Sequence, residues 1–221
     1  MILIYGYYPF PVTVRGGWMK RIAAVDALFA DRPRTYVFPA EPGDARDYRL
    51  HHQESVHTDR LPKDVRFYRP DLRFAAHQRQ LTELVEQAEF IYAHTSHSAQ
   101  HLLPYYATGK IVTDVHGIAP EEERMQGAPE RARFYESFEE TMVRQSAALV
   151  TVTDAMAQHF RRKYPGLNTP FLHLPILEDV PRPKSLERAR RTQVRVVYAG
   201  GLQRWQNVEL MVASAARTSP R

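Results

Sequence analysis

Four short stretches hold the residue types that do chemistry. "TDVHG" (113–117) sets Asp114 and His116 two residues apart at the end of an apolar run, so in a strand both side chains share a face, and Gly117 frees the backbone beyond them. An imidazole there donates a hydrogen bond to a sugar hydroxyl or steadies developing positive charge; a structural histidine is the plainer alternative. "VRGG" (14–17) ends a loop of about ten residues, and Gly16 and Gly17 let backbone N–H groups approach an anion at the start of a helix. A turn with no ligand is the alternative there. "HTSHSAQH" (94–101) spaces His94, His97 and His101 as a zinc site does, with two of them on one helix face. A helix cap at Ser96 or Ser98 explains that segment better: ten histidines are scattered along the chain and no dedicated carboxylate completes the set, so no metal is expected. "YAGG" (198–201) places Gly200 and Gly201 where a strand turns into a helix.

Other chemistries lack their motifs. A dinucleotide fingerprint needs G-x-G-x-x-G in a tight turn directly after a strand, and neither glycine pair, 16/17 or 200/201, supplies it or a Walker Gly-Lys-Ser/Thr. No G-x-S-x-G elbow is present, and the absence of cysteine removes thiol nucleophiles, disulfides and Cys-based zinc sites.

Strands and helices alternate along the chain. "ILIY" (2–5), "TYVF" (35–38), "FIYAH" (90–94), "KIVTDVHG" (110–117), "ALVTVT" (148–153) and "FLHLPI" (171–176) read as strands, with one or two irregular strands expected within 40–70 around "VRFYRP". Ile22, Val25, Leu28 and Phe29 fall at helical spacing, as do Leu81, Leu84 and Val85 in 74–88. A short helix over "SAQHLLPYYAT" is expected to bend or end at Pro104. A long amphipathic helix spans 130–147, acidic residues favour the helix start at "PEEERMQG", and Asp154 is placed to cap the next helix. This order predicts an α/β fold with a doubly wound, Rossmann-like parallel sheet, whose ligands bind at the carboxyl ends of the strands. That rule selects the loop from Tyr7 to Gly17, His94, Asp114 with His116 and Gly117, Thr153 with Asp154, and Gly200 with Gly201.

At 221 residues and 43% apolar content the chain has ample material for one large or two small domains. The first sheet is complete by about residue 177, giving a domain over 1–177, a linker over 178–193 and the start of a second domain over 194–221. Between residues 181 and 195 six basic side chains, Arg182, Lys184, Arg188, Arg190, Arg191 and Arg195, stand against Glu187 and account for the whole net charge of +5. A basic stripe confined to a proline-containing connector reads as a solvated linker, with an anionic membrane surface as its second reading and no nucleic acid as partner. The amino terminus has neither a basic n-region nor the roughly 18 apolar residues of a span, which makes a cytoplasmic location the default expectation.

"YAGGLQRWQNVELMVASAA" (198–216) resembles the segment that opens the second domain of glycosyltransferase family 4, enzymes built from two facing Rossmann-like domains (GT-B). "VRGGWMKRIAAVDAL" is similar to their first-domain glycine loop and helix, and "IVTDVHG" to their strand ending in a functional histidine. The resemblance implies one nearly complete domain of a GT-B pair that moves a sugar, with retention, from a nucleotide-diphosphate sugar to a glycan, lipid-linked or polysaccharide acceptor, without metal or separate cofactor. By that likeness Gly16 and Gly17 face the diphosphate or acceptor, His116 touches the transferred sugar, and His94, Asp114 and Gly117 line the same cleft. Gly200 and Gly201 then belong to the nucleotide-sugar side. Relatives place an arginine and a lysine after that glycine turn, where this chain has Gly201 and Gln206, which leaves Arg204 as the basic residue there. The resemblance further implies that most of the second domain lies beyond residue 221 and that this chain alone transfers little sugar. A GT-B-like epimerase and a non-catalytic nucleotide- or partner-binding α/β module are the alternatives.

Overall fold

The computed structural model describes residues 1–10, 17–39, 61–175, 198 and 206–217. Among them, seven strands, β1 (Ile2–Tyr5), β2 (Arg34–Val37), β3 (Val65–Tyr68), β4 (Phe90–His94), β5 (Ile111–Val115), β6 (Ala148–Thr151) and β7 (Phe171–His173), form one sheet in the order β3-β2-β1-β4-β5-β6-β7. Every adjacent pair is parallel. The helices are α1 (Gly17–Ala27), α2 (Ala75–Gln87), α3 (Thr95–Ala99), which runs into a 3-10 segment (Gln100–Thr108), α4 (Ala119–Met125), α5 (Pro129–Gln145), α6 (Asp154–Lys163) and α7 (Val208–Arg217). The doubly wound α/β sheet expected from the sequence is the fold observed.

The central strands explain the layering. "ILIY" is apolar without alternation because both faces are covered: Leu3 and Tyr5 belong to a buried cluster that includes side chains of α2, α5 and α6, while Ile2 and Ile4 belong to another that includes Val25 of α1. Since β1 leads outward to β2 and β3 in one direction and β4 to β7 extend in the other, strand order reverses between β1 and β4. At such a reversal the flanking crossovers diverge and leave a crevice beyond the strand tips.

Several local expectations need correction. The irregular strands sought within 40–70 resolve, for the described part, into a regular parallel edge strand, β3. Leu28 and Phe29 lie past the end of α1, and Leu28 is exposed, because the helix stops at Ala27. Pro104 does not end its helix. The chain has already tightened to 3-10 geometry at Gln100, and the segment runs through the proline to Thr108, stopping at Gly109 in the left-handed conformation at φ +68°. Neither Ser96 nor Ser98 caps α3, since both lie inside it; Thr95 Oγ1 accepts the Ser98 N–H at 3.3 Å instead. Likewise Thr153 caps α6, accepting the Met156 N–H at 3.3 Å, and Asp154 is the first helical residue.

A buried guanidinium fastens the outer edge of the sheet. Arg34, at the start of β2, donates to both oxygens of Asp26 at 2.6 and 3.0 Å, to Asp64 at 3.0 Å and to the carbonyls of Phe29 and Arg32 at 3.1 Å. Tyr36 donates its hydroxyl to Asp26 at 2.8 Å. One side chain thereby joins the end of α1, the turn after it, β2 and the approach to β3.

Candidate functional site

Strand register assembles the site. Tyr5 of β1 pairs with Ala93 of β4, and His94 of β4 pairs with Asp114 of β5, so Gly6, His94 and Asp114 meet at neighbouring strand tips beside the β1–β4 reversal. His116 follows two residues beyond Asp114 on the same face, as its spacing predicts. Its Nε2 lies 3.1 Å from Asp114 Oδ2. A carboxylate only accepts, so Nε2 carries the proton and Nδ1 is the other ring nitrogen, buried and without a partner.

Asp114 is completely buried and surrounded by donors. Arg21 of α1 donates from Nε to both carboxylate oxygens at 3.1 and 2.9 Å and from Nη2 to Oδ1 at 2.6 Å, and Tyr92 donates its hydroxyl to Oδ2 at 3.1 Å. The remaining arm of Arg21 donates to the carbonyl of Leu174 just after β7. Burial pushes the Asp114 carboxyl up, but donation from His116, His94 and Arg21 outweighs it and holds the group well below the usual carboxylate range. Burial, reinforced by the same carboxylate, pushes the Tyr92 phenol far above its ordinary value.

His94, Asp114 and His116 form a trio whose ligand atoms lie within 4.8 Å of one another, whereas His94, His97 and His101, the zinc-like spacing of the sequence, do not converge. His97 Nδ1 lies 3.3 Å from the Tyr135 hydroxyl, and the His101 ring lies against Tyr5. His94 ends β4, the strand read over 90–94 from the sequence, and His97 and His101 follow on α3 and the 3-10 segment. The carboxylate the sequence could not supply comes from β5. Its donor set still disfavours a cation: Asp114 Oδ2 already accepts from Arg21, Tyr92 and His116, and an ion there would sit beside the Arg21 guanidinium.

Beside His94, the one member of the trio that reaches it, a cavity of about 280 Å³ opens at the β1–β4 boundary, lined among others by Gly6, Tyr7, Trp18, Phe38 and Thr95. Thr95 holds φ at +70°, a left-handed conformation that β-branched residues rarely adopt and that costs of order 1–3 kcal/mol. Such strain collects at the rims of binding sites.

The predicted residues therefore divide. His94, Asp114, His116 and Gly117 lie at one end of β4 and β5. Gly17 is the exposed first residue of α1, next to the cavity residue Trp18, with open space where a Cβ would point. Gly16, Gly200, Gly201, Arg204 and the linker 178–193 lie outside the described residues. Sequence reasoning missed Arg21, Tyr92 and Gly6. A signal existed for Arg21, since it shares the apolar face of α1 with Ile22 and Val25, and a charge on a buried face demands a partner.

Two glycines of the site respond differently to a methyl group. A Cβ on Gly6 would stand 3.0 Å from His94 Cβ and 3.2 Å from Cδ2, against a ring that is itself fully buried. Gly6→Ala is expected to cost about 1–3 kcal/mol in urea denaturation. At Gly117 a Cβ would strike the Glu122 carboxylate, the movable end of a flexible side chain whose pKa burial raises. Gly117→Ala is expected to stay within about 0.5 kcal/mol of the parent.

His94 adds a pH dependence. Burial disfavours its charged form and lowers its pKa below the ordinary 6.5, despite the opposing pull of Asp114. The unfolded chain thus binds a proton that the folded chain refuses, so stability is complete above about pH 6.5 and declines as pH falls from there toward the folded value. His94→Asn is expected to flatten the stability-against-pH curve between about pH 7 and pH 5 relative to the parent; an unchanged slope would contradict the assignment.

Compared with known proteins, the chain matches no protein-family model and no curated sequence, so what it does is argued from the crevice itself.

Proposed function

We propose that the chain supplies the acceptor-side half of a glycosyltransferase that moves a sugar from a nucleotide-diphosphate sugar to a glycan, lipid-linked or polysaccharide acceptor. The observation that carries this reading is the position of the Arg21–Asp114–His116 chain of hydrogen bonds, at the tips of parallel strands beside the sheet reversal where α/β sheets hold ligands. Arg21 keeps Asp114 ionised and Asp114 fixes the proton and plane of the His116 ring, so the nitrogen a sugar hydroxyl would bond is Nδ1, which is covered in the ligand-free chain and has to be uncovered as the sugar enters. Retention of configuration, a second domain beginning near 194, and roles for Gly16, Gly17, Gly200, Gly201 and Arg204 in holding the diphosphate belong to the same proposal. So does contact of the 182–195 stretch with an anionic membrane surface.

The test is made on the full-length gene product, with a panel of nucleotide-diphosphate sugars and glycoside acceptors and nucleoside diphosphate release as the readout. Acceptor-dependent release is expected, and His116→Ala should reduce it about tenfold, the value of one lost hydrogen bond. Turnover without any acceptor would instead indicate an epimerase. One observation favours a second, non-catalytic reading: Asp114 has its oxygens occupied and His116 Nδ1 is covered, an arrangement that suits a rigid binding module. Binding of a nucleotide sugar with no turnover under any condition would establish that reading in place of transfer.

A further inference from the structure

The cavity at the β1–β4 boundary has an aromatic wall and a polar floor. Tyr7 stacks on Phe38 at 3.6 Å between ring centroids, Trp18 meets Tyr7 edge-on at 5.7 Å, and both Tyr7 and Trp18 keep about two-fifths or more of their surface exposed, at 40% and 46%. Exposed aromatics concentrated on one side of a concave site are characteristic of ligand recognition rather than of core packing. The floor carries Thr95, Ser98 and His94. His94 is only 1% exposed; its Nδ1 faces Asp114 Oδ2 at 3.6 Å, and its Nε2 is buried without a hydrogen-bond partner, which leaves that nitrogen for a ligand.

Charge and shape narrow the ligand. No aspartate, glutamate, lysine or arginine is among the described residues lining the cavity, and the adjacent Arg21 is committed to Asp114. None of these lining residues supplies a counter-charge to a phosphate or diphosphate, and the Arg69 guanidinium stands over the Phe38 ring, 5.8 Å from its centre. A nucleobase is favoured by a slot between two open ring faces, but here one face of Tyr7 is already covered by Phe38 and Trp18 stands nearly perpendicular to it. Hydroxyls and a neutral imidazole each both donate and accept, and so do the hydroxyls of a sugar. A volume of about 280 Å³ admits one six-membered ring with its substituents and little more.

We propose that this cavity is the subsite for one uncharged pyranose ring, packed by a C–H face on the Trp18–Tyr7 wall and hydrogen-bonded at its hydroxyls by His94, Thr95 and Ser98. Where the transfer reading holds, on which this identification rests, the ring is the terminal sugar of the acceptor, which makes the acceptor a glycoside rather than a bare lipid phosphate or a protein side chain. The strained backbone at Thr95 then has a use, aiming its side chain and the start of α3 at the ring.

The test is saturation-transfer NMR on the intact chain with methyl α- and β-glycosides of glucose, galactose and mannose, in the absence of any nucleotide sugar. At least one glycoside should bind saturably. Trp18→Ala, at a half-exposed position outside the core, should weaken that binding about tenfold, and Trp18→Phe should largely keep it. Uridine and uridine diphosphate should not displace the glycoside. No saturable glycoside, binding indifferent to Trp18→Ala, or displacement by uridine would each overturn the assignment. The outcome is separable from that of the transfer assay. Glycoside binding at Trp18 without acceptor-dependent transfer removes the transferase and leaves the pyranose subsite; transfer with no Trp18-dependent glycoside binding does the reverse.

Discussion

Asp114→Asn is expected to cost about 3–5 kcal/mol of folding stability at neutral pH, because it strands the Arg21 guanidinium, buried on α1, without its counter-charge. The amide would also turn a donor toward Arg21 Nε or Nη2 and give His116 and Tyr92 a poorer acceptor. Since the folded-state pKa of Asp114 is depressed, its contribution is fully present above the ordinary value of 3.8 and is lost only as pH falls below that toward the folded value. The difference between parent and variant in urea denaturation should therefore be constant at about pH 5 and above and shrink in stronger acid. Removing both charges is a gentler change: Arg21→Met with Asp114→Leu replaces a buried ion pair by packed apolar groups and should be less destabilising than Asp114→Leu alone. A cost below about 1 kcal/mol for Asp114→Asn would mean that the pair is solvated and fixes nothing.

Arg34→Met should lose a comparable amount, about 3–5 kcal/mol, at the opposite side of the sheet. The substitution keeps much of the buried stem but leaves Asp26, among the described residues, with the Tyr36 hydroxyl alone, and removes the donors to Asp64 and to two carbonyls of the α1–β2 turn. Hydrogen bonding to Asp26 raises the Arg34 pKa against the cost of burial, so the charge persists at every accessible pH and the loss should be visible across the neutral range. Hydrogen exchange gives the spatial check. Amides of β2 and β3 should lose protection in Arg34→Met while those of β5 and β6 retain theirs, whereas Asp114→Asn should weaken β4 and β5.

Sequence alone went furthest where a rule of backbone geometry applied. The i, i+2 spacing of Asp114 and His116 in a strand fixes their shared face, and the run of apolar strands alternating with helices fixes a parallel sheet covered on both sides. Arg21 could not be tied to Asp114 in the same way, because 93 residues separate them and only the packing of α1 over the strand tips brings them together. The pairing of His94 with Asp114 depends on strand register, a tertiary property. That is also why the histidine-rich stretch at 94–101 looked like a self-contained zinc spacing, when its first member joins a carboxylate and an imidazole from β5 and beyond. At the cavity, Tyr7, Trp18 and Phe38 come from three separate segments, and no local pattern marks them as one wall.

The most direct test is histidine-detected NMR of the full chain, with ring resonances followed as a methyl glycoside and then a nucleotide-diphosphate sugar are added. Binding in the crevice predicts that the His94 and His116 rings respond while His77, on α2 beyond the edge strand β3, stays fixed, and that His116 keeps its proton on Nε2. A response at His77 without His94 and His116, or a His116 ring protonated on Nδ1 alone, would contradict a sugar site built on the Arg21–Asp114–His116 chain.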